Sequence, residues 1–173
     1  MVVATITGEF RKTKGLADRA IAQLTDDQLH ARLDAEANSV AMLMAHMAGN
    51  MRSRWTDFLT TDGEKSWRTR DAEFEPPPLS RADLVAAWET GWQVLFDALA
   101  SLGDDDLGRT VTIRGEAQTA LAAILRQVSH YAGHTHQIVL LAKHLTGAGW
   151  RVLSIPRGQS AAWTAARRGA SAT

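Results

Sequence analysis

The sequence predicts an all-α protein, a four-helix bundle built as a single domain over residues 1–173, and three observations lead there. Four segments repeat apolar residues every three to four positions, the period of an amphipathic helix. Only one short stretch, around Val111 and Ile113, alternates as a strand does. The length of 173 residues, with 45% hydrophobic side chains, suffices for one core without a covalent staple.

The first helix is expected from about Thr5 to Leu24, where Phe10, Leu16, Ala17, Ala20, Ile21 and Leu24 fall near a 3.6-residue spacing and the polar run from Thr25 to Gln28 ends it. The second opens on Asn38 or Ser39 as N-cap and repeats Val40, Leu43, Met44, Met47, Met51, Trp55, Phe58 and Leu59 up to a breaker at 60–63. Residues 60–79 contain three consecutive prolines and mixed charges that exclude a helix. That long loop between helices two and three is read as a crossover or a functional segment, with Trp67 and Phe74 as the side chains that pin it to the body.

Ser80 and Asp83 resemble a capping box for the third helix, which carries Leu84, Ala87, Trp88, Trp92, Leu95, Phe96, Leu99 and Leu102 on one face and ends at Gly103. Trp55, Trp88 and Trp92 lie on these stripes and are assigned to core packing. Residues 106–118, with Gly108 and Gly115, suit a short extended arm or hairpin before the last long helix. The fourth helix runs from Thr119 to about Leu145. Its Leu121, Leu125, Val128, Ala132 and Val139 form one stripe, with Ala123, Leu141 and the histidines on another, so it is read as the central helix. The Ala-rich end of the chain is read as a short helix that frays.

Composition narrows the function. Lys+Arg and Asp+Glu are equal at 19 each, so the basic excess that supplies affinity for nucleic acid or anionic membranes is missing, and neither is expected as a partner. The absence of cysteine removes disulfides, iron-sulfur ligation and thiolate nucleophiles of the chain's own, and leaves His, Asp and Glu as the strong metal ligands. The N-terminus lacks the basic start and apolar run of about 7–15 residues of a signal peptide, and no apolar stretch of about 18 residues follows, so a cytoplasmic location is expected.

Three of the six histidines, His130, His134 and His136, fall within the run HYAGHTH of the fourth helix. His130 and His134 are four residues apart, which puts both rings on one face about one turn apart, where two imidazoles reach one ion at roughly 2.0–2.1 Å per bond. His136 lies on another face, His144 near the helix end where a cation complements the dipole, and His30 in an exposed loop. A bundle completes such a site from a facing helix, and His46, on the shoulder of the second helix's apolar stripe, is the leading candidate. Burial there favours the neutral imidazole that binds metal.

Spacing alone leaves packed or surface histidines open as an alternative. Tyr131 rather than Glu follows His130, so the general base of an HExxH protease is missing. Three neutral histidines with open positions match a catalytic zinc site, or a similar nickel, cobalt or iron site, that acidifies a water or takes a thiolate. Arg52, Arg54, Arg114 and Arg126 are candidates to hold a carboxylate ligand and are equally explained as solvated or paired surface charge.

With one histidine on the second helix and HxxxH on the fourth, the sequence resembles the DinB/YfiT-like superfamily of metal-binding four-helix bundles. The segments NSVAMLMAHMAGNMRSRWTDFLTTDGEKSWRTRDAEF, VTIRGEAQTALAAILRQVSHYAGHTHQIVLLAK and LSIPRG look like a bacterial branch of it without an assigned function. The resemblance implies a divalent metal, zinc or nickel, held by His46, His130 and His134, a homodimer, and a small-molecule substrate. It further implies a metal-dependent S-transferase that depends on a low-molecular-weight thiol such as bacillithiol or mycothiol, with a metal-assisted hydrolase or a non-enzymatic metal-binding stress-response protein as alternatives. His136 departs from that branch, which often has a small residue there, whereas Gln137 matches it.

Overall fold

The computed structural model describes residues 1–170. It is mostly helical, with α1 over Val2–Ile21, α2 over Asp26–His30, α3 over Val40–Trp55, α4 over Arg81–Ala100, α5 over Ala120–Thr146 and α6 over Ser160–Ala170. Strands β1, Thr110–Ile113, and β2, Glu116–Thr119, form one small antiparallel sheet. The all-α expectation is corrected to that extent: the arm is a true hairpin. Arg114 and Gly115 at its tip both take positive φ, 57° and 77°, which suits a two-residue turn matched to the twist of the strands.

The capping chemistry is local. The Ser39 hydroxyl accepts the Met42 amide at 3.1 Å to start α3, and Ser80 and Asp83 exchange backbone-to-side-chain hydrogen bonds at 3.2 and 3.3 Å to start α4. Thr119 caps α5 through the Ala122 amide, and Gly147, at φ 58°, ends it.

Boundaries differ from the sequence reading for identifiable reasons. The polar run after α1 does more than end a helix, because Thr25 and Gln28 form a reciprocal capping box that starts α2. His30 is therefore the exposed last residue of a short helix rather than part of a loop. The second long helix stops at Trp55 because Asp57 turns to φ 51°, and its carbonyl accepts the amides of Thr60 and Thr61. Phe58 still packs, stacked on Trp55 with ring centroids 5.1 Å apart.

Four long helices, α1, α3, α4 and α5, share one core, with α1 laid on α5 and α3 on both α4 and α5. A Cβ at Gly91 of α4 would lie 3.0 Å from the Ala48 Cα, so glycine sets how closely α4 approaches α3. Phe10 is central, edge-on to Trp55 at 5.7 Å and to Trp92 at 6.4 Å and tilted against Tyr131 at 5.9 Å. Trp55, Trp88 and Trp92 are buried, as the periodicity required.

The predicted stripe on α5 is corrected: its interior face runs through Ile124, Gln127, Tyr131, Ile138 and Ala142, while Leu125 is 50% exposed. Counting only aliphatic residues hid the true face, because Gln127 and Tyr131 are buried through their hydrogen bonds.

The hairpin packs Val111 and Ile113 against Ala120, Ala123, Phe58 and Leu59. Asp62 ties the hairpin tip to the long loop by accepting the amides of Glu64 at 2.7 Å, Gly115 at 2.8 Å and Arg114 at 2.9 Å. Those hydrogen bonds, from Glu64 first, hold its carboxyl at about 2. α6 carries exposed side chains over 160–168, with Arg167 over the Trp163 ring; the fraying expected beyond it falls on 171–173, outside the described residues. Among the described residues no helix is long and apolar enough to cross a membrane.

Candidate functional site

The three predicted ligands meet. α3 carries His46, 3% exposed, and α5 carries His130 and His134 one turn apart on the facing side. His130 Nε2 stands 3.3 Å from His46 Nε2 and 3.0 Å from His134 Nε2, and one nitrogen from each ring lies within 4.8 Å of the others. Two nitrogens each roughly 2.0–2.1 Å from a tetrahedral ion stand about 3.3 Å apart, so this spacing is that of a shared ligand set.

The opposite ring nitrogens fix the chemistry of the set. His46 Nδ1 is 2.9 Å from Glu73 Oε2, His130 Nδ1 is 3.3 Å from Gln127 Oε1, and His134 Nδ1 is 2.7 Å from Gln137 Oε1. All three partners are acceptors, so each Nδ1 carries the hydrogen and donates it, and in the neutral ring each Nε2 then keeps its lone pair. Three lone pairs facing one another at these distances repel unless a cation lies between them. The donor set thus fits a divalent ion. Burial, then the neighbouring rings of His134 and His46 and the guanidiniums of Arg68 and Arg54, push His130 down to about 3. Burial also lowers His134, with the His46 ring adding to it and the hydrogen bond to Gln137 opposing it. Both rings are therefore neutral at neutral pH, the form that ligates.

The long loop supplies the outer support. A 3₁₀ turn over Asp71–Phe74 sets the Glu73 carboxylate against His46 and the Phe74 ring over it, centroids 4.6 Å apart. Arg68 grips Glu73 with two hydrogen bonds, Nε at 2.8 Å and Nη2 at 2.7 Å. Burial would raise the Glu73 carboxyl, but the hydrogen bonds from Arg68 and His46 outweigh it and hold the group ionised. Gly49, less than one turn beyond His46, makes room: a Cβ there would collide with the Glu73 carboxylate. Of the two aromatics expected to pin this loop, Phe74 does so at the site. Trp67 is 51% exposed and meets the body at Arg52 of α3, whose guanidinium lies over its ring.

A cavity of about 290 Å³ opens onto the histidines, lined also by Asn50, Arg54, Arg68, Arg70, Phe74, Arg114, Arg126 and Gln127. Three of the four arginines singled out in the sequence, Arg54, Arg114 and Arg126, reach it; Arg52 does not. His136 stands outside, exposed, with Nδ1 donating to the Ala132 carbonyl at 2.7 Å. His144 is exposed in the last turn of α5, where a cation suits the helix end.

Sequence reasoning missed Glu73, Arg68, Gly49 and Gln127. Gln127 was legible in principle, since it precedes His130 by three residues on the same helix. Glu73 lies 27 residues from its partner across an irregular loop, and nothing local marks it.

No protein with a curated description matches the chain. Residues 2–159, nearly its whole length, match a family described as a protein of unknown function, DUF1572. The chain belongs to the DUF1572 family.

Proposed function

We propose that His46, His130 and His134 hold one divalent metal ion, zinc or nickel, and that the protein is a DinB-like four-helix bundle enzyme, an S-transferase that uses it to join a low-molecular-weight thiol, through its sulfur, to a small electrophile. One observation carries the metal reading: three Nε2 lone pairs converge while each Nδ1 is committed to an acceptor. A divalent ion there supplies Lewis acidity toward a thiol or water.

Two features favour an external thiol over water. The chain has no cysteine of its own. Among the described residues the cavity lining contains no carboxylate to serve as general base for a hydrolase, since Glu73 is committed to Arg68 and His46 behind the ring. In the transfer, the thiol gives its proton to solvent, sulfur bonds to the electrophilic carbon, and the leaving group departs with the bonding pair. Glu73, Gln127 and Gln137 hold the rings in orientation, and Phe74 keeps water from the His46 side.

The reading includes a homodimer in the cytoplasm. Leu125, 50% exposed, and Leu140, 66% exposed, on the outer side of α5 are the surface proposed to meet a second copy. The test of the enzyme reading is turnover of a model electrophile by metal-loaded protein with and without added thiol. Turnover only with thiol supports the transferase; turnover without it favours the hydrolase; metal binding with neither leaves a metal-binding module.

A further inference from the structure

We propose that the cavity beside the histidines binds the anionic group of a small molecule, a carboxylate or phosphate carried by the substrate; as a statement about the substrate it rests on the reading of this site as the functional one. The chain is neutral overall, yet five guanidinium groups, Arg54, Arg68, Arg70, Arg114 and Arg126, line this one cavity, with no Asp or Glu in the lining among the described residues. Three carboxylates meet them, the loosest being the exposed Asp71, 3.8 Å from Arg70. Glu64 takes Arg54 at 3.1 Å and Arg114 at 2.9 Å, and Glu73 takes Arg68. Three negative charges do not neutralise five positive ones, and a bound divalent cation would widen the excess.

Three residues in the lining have a donor with no acceptor among the described residues. Arg68, its side chain 2% exposed, has a buried Nη1 without a hydrogen bond; the Glu64 oxygen on that side is 3.8 Å away, beyond hydrogen-bond reach. Arg126 has neither a hydrogen bond nor an ion pair among the described residues. Asn50, 5% exposed, is oriented by a short chain of donors. Trp55 Nε1, a donor only, gives to the Tyr131 hydroxyl at 3.2 Å, so that hydroxyl gives its own hydrogen to Asn50 Oδ1 at 2.8 Å. The Asn50 amide nitrogen is left to donate elsewhere, and no protein acceptor among the described residues takes it. Guanidiniums and a primary amide around a cavity of about 290 Å³ match a planar carboxylate or a phosphate, which accepts from several donors at once. A neutral or cationic ligand leaves the charge excess unanswered.

The experiment is calorimetric titration of the full chain, metal-free and then metal-loaded, with sodium succinate, inorganic phosphate and neutral succinamide. Saturable binding of succinate or phosphate, one per chain and weakened by salt, is expected even without metal, and the tighter of the two identifies the group. Succinamide should not bind. Arg70→Gln with Arg126→Gln, both at exposed positions and therefore tolerated by the fold, should weaken the anion about tenfold or more, the order expected for a lost charged hydrogen bond.

Absence of saturable anion binding in both forms overturns the proposal, as does equal binding of succinamide or an unchanged affinity in the double variant. Failure here and failure of the metal reading are separable. Metal bound without either anion sinks only the anion site. Anion bound by a chain that takes no metal supports the anion site and sinks the metal reading.

Discussion

Two neighbouring residues of α5 face opposite kinds of interior. Tyr131 points into an aromatic cluster with Phe10 and Trp92, where the rings pack against one another and the hydroxyl has both its partners, the buried Trp92 Nε1 being the one polar atom there without an acceptor among the described residues. His130, one residue before it, points into a site where lone pairs face one another and arginines outnumber the carboxylates that meet them. The first region is what a stable fold requires. The second works against stability, since neutral histidines are crowded and charged groups partly desolvated, and a fold that retains such a conflict does so for a ligand.

Substitutions on either side break or sharpen this contrast. Phe10→Ala should cost about 3–5 kcal/mol in urea unfolding, the usual range for a buried aromatic side chain, whereas His130→Ala with His134→Ala should cost far less in metal-free protein. Equal losses would make the histidines a structural element like the aromatics. Next in size, a divalent metal at about 100 times its Kd should stabilise the parent by about 2.7 kcal/mol and leave the double variant unmoved, measured as a shift in Tm. Glu73→Gln should weaken metal binding by about 10–100-fold, because an amide oxygen still accepts from His46 Nδ1 but carries no charge to raise the ring's basicity. Equilibrium dialysis of that variant against the parent checks this.

The last effect is on pH dependence. His130 is held to about 3 in the fold but takes a proton near 6.5 when unfolded. The unfolded chain therefore binds more protons across that interval, and metal-free protein should lose stability as pH falls from about 6.5, with the paired carboxylates adding their own loss only below about 4.5. Urea midpoints at pH 7.0 and 5.0 should differ more in the parent than in the His130→Ala/His134→Ala variant.

The same contrast explains what was legible in the sequence. Helices α3 and α4 were readable because most of their buried residues are apolar and their caps, Ser39 and Ser80, act through neighbours three positions away. The histidine pair was readable for the same reason, as an i, i+4 relation on one helix. The true face of α5 was not, because Gln127 and Tyr131 are buried by hydrogen bonds that a hydropathy pattern does not register. Glu73 and the arginine-lined cavity were not, because an irregular loop folds back across α3 to build them and its register follows no period. His30 and Leu59 were misplaced by local turn chemistry at Thr25 and Asp57.

The most direct test of the central claim is the metal content of protein purified without a metal-affinity step, parent against His130→Ala/His134→Ala, by elemental analysis for Zn, Ni, Fe, Mn and Co. The account predicts about one divalent ion per parent chain and none in the variant. A parent that stays metal-free even after reconstitution, or a variant that keeps its metal, would contradict it.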